Sequence, residues 1–202
     1  MTTTEFLEIL KIAGRLKVNT RHCYTEENRK ESVADHTYRM ALMAMLLSWE
    51  EEFAKVDMNK VIRMCLIHDL GEAFTGDIPF FEKTDADVKE EEKIFASWVE
   101  TFPESQKREW QELLREMEDL KTIEAKTYKA LDKLEAVISH DESDIQTWIP
   151  LEYTLQFTYA VKNTAFSKYL TELREELDLW TRQKIEETEE LKAGETGRDE
   201  SH

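Results

Sequence analysis

An all-helical fold in a single domain is what this sequence predicts, and three observations predict it. Glycine and proline number only five and three in 202 residues, so helices run with little punctuation. Apolar residues recur at three- and four-residue spacing through most of the chain, the period of a helix with one buried face. Alternating, strand-like segments are almost absent. With 41% hydrophobic residues, a chain of this length can build one sizeable core. The domain is expected over residues 1–191, followed by a tail at 192–202.

The first helix is expected after Thr3 or Thr4 as cap. Phe6, Leu7, Leu10 and Ala13 form its core face, and Gly14 lies near its end. A basic connector follows, containing Arg15, Lys17, Arg21, His22, Arg29 and Lys30. It reads as a solvated loop, except that Arg21 is singled out as a fork-shaped partner for a phosphate. Ser32-Val33-Ala34-Asp35 resembles a capping box with Asp in place of Glu. The long helix it opens carries Val33, His36, Met40, Met43, Ala44 and Leu47 on one side. A lone core histidine is usually satisfied by a backbone carbonyl. His36 is kept as a candidate ligand because the next helix ends in a second histidine.

That helix, Lys60 to Ile67, is mostly apolar and delivers His68 and Asp69 side by side into buried surroundings. Burying them is costly unless something compensates. A divalent metal is the expected compensator, since an imidazole nitrogen and a carboxylate oxygen suit a borderline cation. Gly71 is expected to close the helix in the left-handed conformation. Glu72 lies four residues past His68, within reach of the same centre. Gly76 permits a tight turn that swings Asp77 back toward it, and Pro79 stops further helix.

Glu82 to Glu92 reads as a solvated, Lys-interleaved helix face. Ile94, Phe95, Trp98, Val99 and Phe102 form an apolar stripe. Pro103 breaks it and opens a helix with Trp110, Leu113, Leu114 and Met117 inward. In the next helix Tyr128, Leu131, Leu134, Glu135 and Ile138 face the core, with Asp132 beside them. Asp is a poor helix former, so Asp132 calls for a reason: a salt bridge with Lys129 or Lys133, or a fourth metal ligand. His140-Asp141 is a second His-Asp pair, but it sits in a polar run without a glycine turn and receives no site. Leu155 to Val161 suggests a short helix, and Phe166 to Trp180 the start of a long last one. From Lys192 the chain is charged, lacks aromatics and is expected to be disordered.

A formal charge of -17 argues against a nucleic-acid polymer as partner. It leaves room for a small phosphorylated substrate, because a metal and a few basic residues make a local positive site. Cys23 and Cys65 lack CxxC spacing, which excludes a cysteine-only zinc site and fits a reducing compartment. The first residues lack a signal-peptide pattern, and no apolar run approaches membrane-spanning length. A cytoplasmic protein without membrane contact is expected.

His36, His68, Asp69 and Asp132 come from three helices. Two imidazoles and two carboxylates leave coordination positions open for water and substrate, the mark of a catalytic rather than structural centre. A cation so held makes water a nucleophile at neutral pH, and Glu72 and Asp77 can handle its protons. The shell accepts Mn, Co, Fe, Ni or Zn.

This pattern resembles that of the HD-domain metal-dependent phosphohydrolases. Glu31-Ser32-Val33-Ala34-Asp35-His36, Ile67-His68-Asp69-Leu70-Gly71-Glu72 and Thr75-Gly76-Asp77-Ile78-Pro79 extend the similarity toward their small 5'-deoxynucleotidases, over roughly Glu5 to Glu142. The resemblance implies an HD-type helical bundle, a homodimer and one divalent metal on His36, His68, Asp69 and Asp132. It implies Glu72 and Asp77 as residues acting on water and substrate, and Arg21 as a phosphate contact. The reaction implied is hydrolysis of nucleoside 5'-monophosphates, deoxynucleosides in those relatives. The sequence departs in one place: the relatives tend to carry tryptophan beside the phosphate-binding arginine, where this chain reads Arg21-His22-Cys23-Tyr24. Two other readings are an HD hydrolase of another phosphate ester or signalling nucleotide, and a protein that binds metal or nucleotide without turnover. The short chain and the Glu72/Asp77 pair favour the nucleotidase.

Overall fold

The computed structural model describes residues 1–199, with side chains described as far as Glu190. Helices dominate: α1 (Thr3–Ala13), α2 (Val33–Leu47), α3 (Met58–Ile67), α4 (Glu72–Thr75), α5 (Asp85–Val99), α6 (Glu104–Asp119), α7 (Ile123–Glu142), α8 (Glu152–Leu155), α9 (Val161–Thr164) and α10 (Lys168–Asp199). The fold class is all-α, as the glycine and proline scarcity predicts. Two compact units are distinguished, Met1–His22 with Lys30–Asp132, and Cys23–Arg29 with Lys133 onward. The chain passes from the first to the second inside α7. At 20 residues that helix is about 30 Å long, enough to serve a different core at each end.

In the first unit, α2 packs on α3. Ser32 caps α2 with both halves of the capping box in place: its hydroxyl accepts from the Asp35 N–H, and the Asp35 carboxylate accepts from the Ser32 N–H. His36, Met40, Ala44 and Leu47 are buried along one side of α2, and Val61, Met64 and Cys65 of α3 are fully buried. These side chains make the core beneath the site.

Several local expectations are corrected. Thr2, not Thr3 or Thr4, caps α1. Phe6, Leu7 and Leu10 are 53, 64 and 51% exposed, so they are not its core face. The inner strip is Glu5, Ile9 and Ile12, which borders Trp98 and Phe102; the helix is turned by about one position from the face its apolar residues mark. The basic connector is not a loop. Thr20–Tyr24 (β1) pairs with Lys30–Ser32 (β2), around a turn in which Asn28 takes the left-handed conformation that Asn tolerates. Charged strands this short lack apolar alternation, which hid them.

Gly71 is right-handed, at φ -57°, and does not close a helix. Its missing side chain serves another purpose, since a Cβ there would stand 2.9 Å from Glu91 Cγ. Gly76, at φ 77°, makes the tight turn expected of it. The single short helix expected over residues 155–161 is two helices, α8 and α9, because Ala160 at φ 68° interrupts the path. The backbone of α10 continues helical to Asp199, through most of the stretch expected to be a disordered tail. Lys192, Ala193, Glu195 and Arg198 favour helix there, against Gly194 and Gly197; residues 200–202 of that stretch lie outside the described residues.

In the second unit His140 uses both ring nitrogens, Nδ1 at 2.9 Å from the Ala136 carbonyl and Nε2 at 2.7 Å from Glu152 Oε1. Asp141 accepts from Thr181 Oγ1 at 2.9 Å and Gln156 Nε2 at 3.1 Å. This second His-Asp pair is committed to packing.

Ser32→Ala removes the cap that starts α2. It is expected to lower stability by about 1 kcal/mol, read as a lower urea midpoint at unchanged slope.

Candidate active site

Every residue of the site belongs to the first unit. The first turn of α2 presents His36, the end of α3 presents His68 and Asp69, and α7 presents Asp132. His36 Nε2 lies 3.8 Å from Asp69 Oδ2 and 3.6 Å from Asp132 Oδ1. His68 Nε2 lies 2.9 Å from Asp69 Oδ2. One donor atom each from His36, His68 and Asp69 falls within 4.8 Å of the other two. Asp132 stands at the rim of this set. Its Oδ2 is 2.9 Å from Lys129 Nζ, so the salt bridge and the approach to His36 coexist on its two oxygens.

The tautomer of His68 follows from its partner. Nδ1 sits 2.9 Å from the Cys65 carbonyl, which can only accept, so Nδ1 carries the hydrogen and Nε2 the lone pair. That Nε2 is buried and makes no hydrogen bond; its 2.9 Å approach to Asp69 Oδ2 brings two acceptors together. A buried, oriented lone pair beside a carboxylate is the arrangement metal-binding histidines show. Burial alone would raise the Asp69 carboxyl, but the His68 and then the His36 imidazole outweigh it and hold it well below the usual range. Two nitrogens and a carboxylate oxygen at these distances fit a divalent cation.

Glu72 lies in α4 and is buried. Asn19 Nδ2 donates to its backbone carbonyl, and Arg15 Nη1 donates to the Ala73 carbonyl at 3.3 Å, tying α4 to the N-terminal segment. The Glu72 Oε2 atom is buried without a hydrogen bond. Burial pushes this carboxyl up to about 10, the Asp69, Asp77 and Glu91 charges push the same way, and Lys83 opposes them. Asp77 is also raised by burial, with Arg21 opposing. Arg21 sits on β1 with Nη1 2.8 Å from Glu31 Oε2. The guanidinium is thus held by a buried glutamate while it acts on Asp77. The structure therefore gathers His36, His68, Asp69, Glu72 and Asp77, sets Asp132 at the edge, and brings Arg21 within electrostatic range.

Sequence reasoning missed Glu31, Lys83 and Glu91, whereas Lys129 was named as a salt-bridge partner of Asp132 and is one. Glu31 lay inside a quoted motif without a role, and Lys83 and Glu91 sit in the stretch read as solvated. A cavity of about 760 Å³ is bordered by His68, Glu91, Phe95, Leu114, Tyr128 and Lys129, within the usual size of small-molecule sites. Burial pushes the Tyr128 phenol up to about 12, so it enters this cavity neutral.

The HD domain family profile matches residues 13–174, a span that holds every candidate site residue. The chain belongs to the HD-domain family. Among HD-domain relatives, a protein from Dictyostelium discoideum named 5'-deoxynucleotidase HDDC2 is 34% identical over 151 residues, covering 71% of this chain and 80% of its own. The Homo sapiens protein of the same name is 33% identical over 140 residues, covering 67% of each chain. A crystal structure from Magnetospirillum magnetotacticum MS-1, described as a predicted metal-dependent phosphohydrolase, superposes with a TM-score of 0.75 at 26% identity. That match covers 90% of this chain and 93% of the other.

A cation that binds only the folded HD domain stabilises it by mass action, by about 2.7 kcal/mol at 100 times its Kd. Manganese or cobalt is expected to raise the melting temperature and a chelator to reverse the rise. In His68→Ala protein the metal-induced shift should vanish.

Proposed function

We propose that this HD-domain protein is a metal-dependent phosphomonoesterase that converts nucleoside 5'-monophosphates, in their deoxynucleoside form, to nucleoside and phosphate. One observation carries the reading. The bare Nε2 of His68 is fixed toward Asp69 and His36 by its Nδ1 bond to Cys65, and the Asp69 charge acts on Glu72 and Asp77. The names of the Dictyostelium and human relatives supply the substrate class.

In this reading His36, His68, Asp69 and Asp132 hold one divalent ion, drawn from Mn, Co, Fe, Ni or Zn. Such an ion polarises phosphoryl oxygens and acidifies water. Arg21 takes a phosphate oxygen through its planar fork, with Glu31 holding the guanidinium in place. Glu72 and Asp77 do the proton work. One carboxylate accepts the proton of the attacking water as the new P–O bond forms. The other, protonated, gives a proton to the 5'-oxygen as the old P–O bond breaks. The nucleoside lies in the cavity beside His68. His22, packed edge-on against Phe81 at 5.3 Å, occupies the place next to Arg21 where relatives tend to have tryptophan.

We assign this activity to residues 1–191 as one functional module, in a cytoplasmic homodimer. No described helix is long and apolar enough to cross a membrane. Tyr38, Met45 and Trp49 are exposed and, at spacings of seven and four, line one side of α2 and its following turn. They offer a second copy an apolar face.

Metal-loaded protein assayed on a panel of ribo- and deoxynucleoside 5'-monophosphates is expected to release phosphate. Glu72→Gln should lower kcat by about 100-fold or more while metal content is unchanged; a panel with no release would remove the proposal. Ala96→Trp narrows the cavity at its lining. It is expected to raise KM for nucleotides several-fold and leave the metal-induced melting shift intact.

A further inference from the structure

The acidic corner of the site poses a problem that Arg21 alone does not solve. Asp69, Glu72, Asp77 and Glu91 press on one another by charge, and a phosphate monoester entering there brings more negative charge. Lys83 is the cation that acts on all four: it opposes the rise at Glu72 and Asp77, and its own ammonium is favoured by Glu91, Glu72 and Asp69. Resting on the nucleotidase reading above, we propose that Lys83 is a second phosphate-contacting residue, and that Glu91 is the positioning residue that aims it.

The geometry supports both roles. Lys83 Nζ lies 2.6 Å from Glu91 Oε2, with side chains only 22 and 15% exposed. Glu91 itself is lodged against Gly71, where a Cβ would meet its Cγ at 2.9 Å and its Oε1 at 3.3 Å. Gly71 lies between Asp69 and Glu72 in the chain, so the ion pair sits on the backbone that joins the candidate ligand to the candidate proton carrier. The Lys83 backbone is fixed as well. Its N–H donates to the Pro79 carbonyl at 3.0 Å, and the next residue, Thr84, caps α5 with a complete capping box. A lysine ammonium has three hydrogens to donate. Glu91 engages one, and the others remain to meet phosphate oxygens. A solvated ion pair would need none of this enclosure and would contribute little. Held between a turn, a helix cap and a half-buried carboxylate, Lys83 is preorganised for an anion that arrives from outside.

The test uses full-length, metal-loaded protein: wild type, Lys83→Met, Lys83→Arg and Glu91→Gln. Three quantities are measured: bound metal, affinity for inorganic phosphate by calorimetry, and steady-state kinetics on a nucleotide the wild type hydrolyses. Lys83→Met is expected to keep its metal and to lose about 10- to 100-fold in both phosphate affinity and kcat/KM, the range for one hydrogen bond to a charged group. Lys83→Arg should recover most of that loss, which a space-filling role would not produce. Glu91→Gln should weaken phosphate binding several-fold, mostly through KM. Folded, metal-replete Lys83→Met with phosphate affinity within twofold of wild type overturns the proposal. Should the wild type hydrolyse no nucleotide, the nucleotidase reading fails separately, and the phosphate titration still decides for or against Lys83. Should Lys83→Met not fold, Glu91→Gln decides: unchanged phosphate affinity overturns the proposal, and a loss sustains it.

Discussion

Carboxyl groups crowded into one poorly solvated corner are the constraint around which this molecule is arranged. Asp69, Glu72 and Asp77 lie close enough to shift one another, and bringing them there is uphill unless opposite charge faces them. The fold answers with Arg21 and Lys83 acting on Asp77, and with Lys129 on Asp132. Each of these three basic residues has a carboxylate partner within 3 Å. The Lys83 and Lys129 ammonium groups are thereby fixed in direction without being consumed, because one acceptor leaves an ammonium with further hydrogens. His36, His68 and Asp69 are placed so that they could hold a divalent ion there as well.

The packing beneath the site serves the same end. The α2 capping box sets where the helix starts, and the start decides that His36, one residue past Asp35, points inward. The fully buried Val61, Met64 and Cys65 of α3 bring the end of that helix to the same depth. Cys65 contributes twice, through its buried side chain and through the carbonyl that fixes the His68 tautomer. Core packing and site geometry are set by the same few turns of helix.

The parts legible in the sequence were those where chemistry and local periodicity agree. The Ser32 box, the buried α3, the Gly76 turn and the inward face of α7 with Asp132 beside it could all be read from residue type and spacing. What escaped reading depended on tertiary partners. The face of α1 followed Ile9 and Ile12 toward Trp98 and Phe102, although Phe6, Leu7 and Leu10 are more numerous on the other side. The hairpin at Thr20–Ser32 is short and charged, so pairing rather than hydrophobicity defines it. Lys83 and Glu91 look like any other members of a solvated Lys/Glu run until α5 is laid against Gly71. The division of the chain within α7 had no signal at all, since a continuous helix shows no break in its period.

The absent side chain at Gly71 has an evolutionary consequence. Positions 71 and 91 share one small volume, so they cannot drift independently. Enlarging residue 71 forces the Glu91 side chain to shift, and with it the carboxylate that holds Lys83. A change at 71 is therefore felt at 91 and, through the ion pair, at 83, three positions separated in sequence but joined by a gap the width of one methyl group.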